Sequence, residues 1–400
     1  MPDRFGALPP SPFVRLRALL DDVTPAQAPV SLAIGEPRHA PPPHVLAALS
    51  AASDSYGKYP PIGGTADWRI AVSGWLSRRF DVSPDLLAET SQILPLNGTR
   101  EGLFLAAQIA PQKEGGLVMM PNPFYQVYAA AALAAGATPV YLPATAATGY
   151  LPDLDALDTD TLDRTQAFYF CSPANPQGAV ADATYLARLV ALARAHNFLL
   201  LVDECYAEIY DTAAPASALE VMQAASDDDM PVMVFHSLSK RSNLPGLRSG
   251  FCAGGRAPMQ AMADLRGIAG PQSPLAVQAA AALAWSDDAH VDENRQKYRQ
   301  KFDAAASIFG TDNDFYRPAG GFFLWLNVGD GVAAARHLWA AHGVRVLPGA
   351  YLARPGTDGA VLGSEFIRVA LVEEQDAMVA ALQRLKDGID NIVSAAKGAA

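Results

Sequence analysis

"FLLLVDECY", residues 198–206, sets five consecutive apolar side chains directly before two acids, a cysteine and a tyrosine. A strand with one wet face alternates apolar and polar residues, whereas an unbroken apolar run is what a strand covered on both faces requires. The same pattern recurs in "QILPL" (92–96), "GLVMM" (116–120), "TPVYL" (138–142), "AFYFC" (167–171) and "PVMVF" (231–235). Helical stretches near 65–80, 98–110, 182–196 and 274–285 are interleaved with these runs or follow them. Short doubly buried strands alternating with helices predict an α/β fold, with a mostly parallel sheet sandwiched by helices.

Outward from this block the texture changes. Upstream, a Pro-punctuated arm "LPPSPF" leads to a short helix at 13–20 and to "VSLAIGEP", a strand stopped by Gly35 and Pro37. Downstream, the charged helical stretch 287–309 ends at Gly310, and "GGFFLWLNV", a helix at 332–342, "VRVLP" and "EFIRVAL" predict a smaller α+β unit. The expected division is 1–40, an arm and first strand joining the small domain; 41–290, the large domain; and 291–400, the small C-terminal domain.

Half of the 400 residues are hydrophobic and 18% are charged, enough to bury two cores. The net charge of −11 would repel a phosphate backbone, so no nucleic-acid partner is expected. Cys171, Cys205 and Cys252 are odd in number and widely spaced, which argues against a disulfide framework or a zinc site and for a reducing compartment. The N-terminus has no basic start followed by an apolar stretch, and no apolar run approaches the roughly 18 residues a span needs. A soluble cytoplasmic protein acting on small molecules, with no membrane partner, is the expectation.

Ligands of open parallel sheets bind at the carboxyl ends of the strands, so the residues just after each apolar run carry the chemistry. "NGTREGLF" follows the first run, and Gly98, Thr99 and Arg100 open a helix whose free N–H groups suit a phosphate, although Asn-Gly-Thr is also an ordinary helix cap. Asn175 in "SPANPQGAV" is either a turn former or an amide aimed at a ligand oxygen. Asp203, at the end of a doubly buried strand, needs a cationic or hydrogen-bonding partner. "SLSKRSNLPGLRSG" (237–250) supplies hydroxyls and a forked cation in Ser237, Ser239 and Arg248. Lys240 is then the remaining amine, and an amine beside a carboxylate and a phosphate clamp is what Schiff-base chemistry requires.

Together with "NPFY" (122–125), "NPQG" (175–178), "DECY" (203–206), "GLRSG" (246–250) and "FIRVAL" (366–371), these motifs resemble the class I/II aminotransferases of the pyridoxal-phosphate fold-type I group. The resemblance covers about residues 30–390. It implies pyridoxal 5′-phosphate as cofactor and Lys240 as the lysine that bonds it and moves the substrate proton. Asp203 would pair with the pyridinium nitrogen, Tyr206 and Asn175 with the phenolic oxygen, and Tyr125 would stack on the ring. Gly98, Thr99, Arg100, Ser237, Ser239 and Arg248 would hold the phosphate. Arg368 would fork onto the substrate α-carboxylate with help from Asn175 and Gly35. Tyr59, in "YGKYPPIGG", would reach the phosphate of a second subunit, so a homodimer with shared sites is implied.

Within the group, "AIGEPRHAPP", "PNPFYQVY" and "FHSLSKRSNLPGLRSGF" are most similar to bacterial N-succinyldiaminopimelate aminotransferases, with glutamate and 2-oxoglutarate as the other pair. Arg38 and Arg100 are the candidates for that substrate's remote carboxylates, with Arg241 behind them. The segment "GIAGPQS" (267–273) departs from the Tyr-His-Gly type loop of such relatives. Aminotransferases using aspartate, alanine or aromatic substrates, and a β-eliminating lyase, share the same motifs and stay open at this point. A regulatory protein on this scaffold would need a basic DNA-binding domain, and a nicotinamide dehydrogenase would need a G-x-G-x-x-G after its first strand; neither is present in the sequence.

Overall fold

The computed structural model describes residues 5–6, 8–83, 92–356 and 359–398, with side chains described through Ile392. Its strands are β1 (Val30–Ser31), β2 (Ile93–Leu96), β3 (Leu117–Asn122), β4 (Thr138–Pro143), β5 (Thr165–Cys171), β6 (Leu199–Asp203), β7 (Val232–Ser237), β8 (Gly250–Gly254), β9 (Phe323–Asn327), β10 (Val344–Arg345), β11 (Leu347–Pro348) and β12 (Phe366–Ala370). All six apolar runs become strands of one seven-stranded sheet, ordered β2-β8-β7-β6-β5-β3-β4.

The absence of alternation in these runs follows from two cores, one on each face. In β6, Leu200 and Val202 enter one apolar cluster while Leu199 and Leu201 enter the other. In β5 the split is Phe168 and Phe170 against Ala167 and Tyr169, and in β7 Val232 and Val234 against Met233 and Phe235. Each such Leu or Phe contributes about 1.5–3 kcal/mol by burial.

β3 to β7 are mutually parallel, but β8 runs antiparallel to both β7 and β2. The sequence reading does not anticipate β8, because glycines at both ends disguise it. Packing demands those glycines: a Cβ at Gly250 would lie 2.5 Å from His236 O, and one at Gly254 would overlap Val232 O.

The helices begin where the sequence offers caps. Thr65 Oγ1 accepts from Trp68 N at 3.3 Å to open Ala66–Phe80, and Asp182 Oδ1 accepts from Tyr185 N at 2.7 Å to open Ala183–Ala195; each cap contributes about 1 kcal/mol. The charged stretch is one helix, Ala289–Phe309, stopped by Gly310 at φ 57°.

β9, β11 and β12 form a separate antiparallel sheet, while β1 pairs in parallel with β10. "VRVLP" therefore divides between two sheets. Of the predicted strand "VSLAIGEP", only Val30–Ser31 pair, although Leu32 extends the ladder by donating to Arg345 O and accepting from Ala370 N. Cys171, Asp203 and Phe235 lie opposite one another in register, so β5, β6 and β7 deliver their chemistry-bearing ends side by side.

Candidate active site

Asp203 ends β6 at 6% exposure. Its Oδ2 accepts from Tyr128 Oη at 2.7 Å and its Oδ1 from Cys205 N at 3.3 Å. Burial pushes its pKa up, and these hydrogen bonds offset only part of that shift. Among the described residues no lysine or arginine pairs with it. A buried carboxylate without a cation is a place where a protonated ring nitrogen would be held.

Lys240 lies one turn into the short helix Leu238–Arg241, directly after β7. Ser237 caps that helix, its Oγ accepting from Ser239 N at 3.1 Å and donating to Ser249 O at 3.5 Å. The Lys240 Nζ donates to Gly35 O and sits 5.4 Å from the Phe322 ring centroid. Burial pulls its pKa down to about 8; Arg368 and Arg248 add to the fall, and Cys205 and Glu36 oppose it. These neighbours show that the strand ends, the 35–36 segment and β12 face one space.

Arg368, in β12, is 4% exposed and carries a fork already aimed. Its Nη1 donates to Asn175 Oδ1 at 3.0 Å, its Nη2 to Ala33 O at 2.7 Å, and its Nε has no partner. The guanidinium stacks 4.3 Å above the Phe323 ring, and burial draws its pKa down to about 10. Gly35 is required where it stands, because a Cβ there would lie 2.6 Å from Phe323 Cζ. Tyr206 is buried, its ring edge-on to Phe322 and Phe323.

The third part is the anion cradle. Gly98, at φ 82°, precedes the helix Thr99–Ala106, and a Cβ on it would overlap Arg248 Nη2. The bare backbone and the guanidinium thus share one wall. Thr99 Oγ1 meets Cys205 Sγ at 3.1 Å, and Arg100 Nε donates to Tyr125 Oη at 2.5 Å. A helix N-terminus, hydroxyls and an exposed arginine fit a phosphate; the uncompensated Asp203 fits a pyridinium; the depressed amine fits an aldehyde. The residues present suit pyridoxal phosphate.

Two predicted residues lie apart from this constellation. Tyr59 is fully exposed. Arg38 forms an ion pair with Glu373 and lines a separate surface cavity of about 510 Å³ with Val30, Trp339 and Arg345. Sequence reasoning missed Tyr128, which orients Asp203, and the carbonyls of Ala33 and Gly35 as acceptors. The spacing "YQVY" carried a signal for Tyr128, since it falls one helical turn beyond Tyr125 and packs edge-on against it at 5.7 Å.

A family model described as aminotransferase class I and II matches residues 28–385. An LL-diaminopimelate aminotransferase of Desulforudis audaxviator is 32% identical over 394 residues, covering 96% of each chain. The 4-dedimethylamino-4-oxo-anhydrotetracycline transaminase OxyQ of Streptomyces rimosus is 32% identical over 357 residues, 89% of this chain and 92% of its own. The crystal structure of an aminotransferase from Neisseria meningitidis Z2491 superposes with a TM-score of 0.90 at 34% identity, covering 97% of this chain and 99% of that one. With the amine, the carboxylate and the arginine fork already in place, the chain belongs to the class I and II aminotransferases and is a pyridoxal-phosphate-dependent transaminase.

Proposed function

We propose that the protein transfers an amino group between glutamate and the keto acid of N-succinyl-LL-diaminopimelate. The observation that carries the transaminase chemistry is Lys240, an amine depressed to about 8 by burial, with Arg368 and Arg248 among the charges around it. At pH 7 about one such amine in ten is uncharged, against about three in ten thousand for an ordinary lysine. When bound, pyridoxal phosphate supplies an aldehyde carbon and an electron-accepting ring.

Lys240 would hold that carbon through Nζ, and the same nitrogen would take and return the substrate α-proton. Asp203, fixed by Tyr128, keeps the ring nitrogen protonated. Asn175 and Tyr206 orient the phenolic oxygen, and Tyr125 covers the ring. Gly98, Thr99, Arg100, Ser237, Ser239 and Arg248 retain the phosphate. Arg368 turns its fork to the α-carboxylate, helped by Asn175 and the Gly35 backbone. Tyr59, exposed in one chain, completes the phosphate site of a second subunit in a homodimer, and residues 41–290 form the cofactor-binding domain.

The sequence similarity around 237–250 supports the succinylated substrate. A second reading, LL-diaminopimelate itself, is favoured by the name of the Desulforudis relative. The two substrates differ at the far end, where one carries carboxylates alone and the other an ammonium beside its carboxylate. Purified protein supplied with glutamate and N-succinyl-2-amino-6-ketopimelate should form 2-oxoglutarate and the succinylated amine. Turnover of unsuccinylated diaminopimelate in its place would overturn the substrate assignment, and release of ammonia with a keto acid would make the protein a lyase.

A further inference from the structure

Several buried or partly buried cations of this acidic chain have an acidic partner: Arg79 and Arg295 meet Glu208, Arg241 meets Asp288 and Arg266 meets Glu101. Arg15 and Arg354 differ from these. Both are partly buried, and among the described residues no carboxylate pairs with either. They flank one short segment, Arg15 against the Tyr351 ring and Arg354 three residues further on; burial pushes the Arg354 guanidinium below its ordinary pKa, Tyr141 offsets part of this, and Arg15 adds to it. Two guanidiniums at one segment with no carboxylate partner suit an anion.

The fold prepares this pair from both sides. Asn122 grips the backbone of Arg354, donating from Nδ2 to Arg354 O at 2.9 Å and accepting Arg354 N on Oδ1 at 3.1 Å. Phe124 N donates to Leu352 O at 3.1 Å, and the Arg354 guanidinium lies 5.2 Å from the Phe124 ring, one residue before the ring-covering Tyr125. Arg15, on the helix Pro12–Leu20, lies 3.9 Å from the Tyr351 ring centroid. Tyr351 belongs to the apolar cluster of Ala33 and Trp325, and these two flank Arg368: Ala33 O accepts its Nη2, and Trp325 is its partner across the β9–β12 ladder. One wall thus runs from the α-carboxylate fork through Tyr351 to Arg15. The other runs from the ring-stacking loop through Phe124 to Arg354.

We propose that Arg15 and Arg354, with the Tyr141 hydroxyl, form a distal subsite for a carboxylate at the far end of the amino-acid substrate. This rests on the substrate reading above and sharpens it: the preferred donor is an amino acid whose long side chain ends in a carboxylate with no neighbouring ammonium. Recognition falls to Arg15 and Arg354 rather than to Arg38, whose charge Glu373 already answers.

The test uses the cofactor-loaded enzyme and two unreactive probes of equal chain length, pimelate and heptanoate, with Kd read by calorimetry. The wild type should bind pimelate at least about tenfold more tightly than heptanoate, as expected for a carboxylate received by charged donors. Arg354→Gln and Arg15→Gln should each reduce that ratio about three- to tenfold, Arg354→Lys should recover part of it, and 0.5 M salt should compress it. The ratio of kcat/KM for N-succinyl-LL-diaminopimelate over norleucine should fall in parallel. An unchanged ratio in both Gln variants overturns the subsite. If turnover of the succinylated substrate persists alongside that result, the proposed function stands and only the distal assignment falls; if no amino donor is turned over, the function itself is wrong. Should Arg354→Gln fail to fold, Arg15→Gln and Arg354→Lys decide the matter.

Discussion

In the cofactor-free protein Lys240 should titrate near pH 8, the midpoint set mainly by burial beneath the 35–36 segment and secondarily by Arg368 and Arg248. The displacement from 10.5 to about 8 corresponds to about 3 kcal/mol of unfavourable free energy for holding the ammonium in place. The sign follows from linkage. Because the folded pKa is lowered, the unfolded chain binds more protons between about pH 8 and 10.5; the penalty is fully present below 8 and is relieved as pH rises through that window. Competitive acetylation across pH 6–11, read by mass spectrometry of the Lys240 peptide, measures the midpoint directly. At pH 7 the free-amine fraction should exceed that of an unperturbed lysine about 300-fold. Arg368→Gln should raise the midpoint modestly, since burial dominates. A midpoint above pH 10 would refute the view that the fold prepares this amine for reaction, and a large rise on removing Arg368 would show that charge, not burial, sets it.

Three further substitutions probe separate parts of the site. Asp203→Asn removes a charge whose protonated form burial already favours, so the cofactor-free protein should melt no lower than wild type while transamination falls about 10²–10³-fold; a strongly lowered melting temperature would mean that Asp203 is mainly structural. Gly98→Ala forces a side chain onto a backbone at φ 82° and into Arg248, at a cost of about 1–3 kcal/mol, and should speed cofactor loss on dialysis; wild-type retention would remove Gly98 from the phosphate wall. Arg241→Ala empties a site between Trp75 and Trp285, whose ring centroids lie 5.5 and 4.9 Å from the guanidinium, and should cost about 2–5 kcal/mol in urea unfolding, whereas a loss below 1 kcal/mol would show that the pocket collapses around the gap.

The sheet was legible because burial on two faces writes itself as uninterrupted apolar runs, and Leu199 to Val202 obey that rule residue by residue. The strand β8 was hidden because close backbone approach selects glycine there, and glycine ordinarily signals a turn. Lys240, Asp203, Asn175 and Arg368 stood out as polar residues in or next to apolar runs. Their partners did not: the Ala33 and Gly35 carbonyls have no residue-type signature, and Tyr128 meets Asp203 only after the chain has crossed from β3 to β6. Arg38 was assigned by charge and sequence position, and the ion pair with Glu373 is a tertiary fact that neither one encodes.

"RSNLP" (241–245) follows Lys240 directly, and the packing around it gives the stretch a physical role. Arg241 donates to Ala284 O at 2.6 Å and Asp288 Oδ1 at 2.7 Å, Ser242 Oγ meets His290 Nε2 at 2.9 Å, and Asn243 Nδ2 donates to Asn294 Oδ1 at 3.2 Å. Asn294 in turn reaches Lys240 O at 3.5 Å and His39 Nδ1 at 2.7 Å. Lysine's four-carbon stem is flexible, so the precision of its amine has to come from the backbone that carries it. Three successive polar side chains anchor that backbone to the end of one helix, Leu275–Ser286, and to the start of the next, Ala289–Phe309, while Ser237 caps it from the sheet side. The stretch therefore fixes where the amine stands, and direct contact with the substrate falls to the walls facing Arg368.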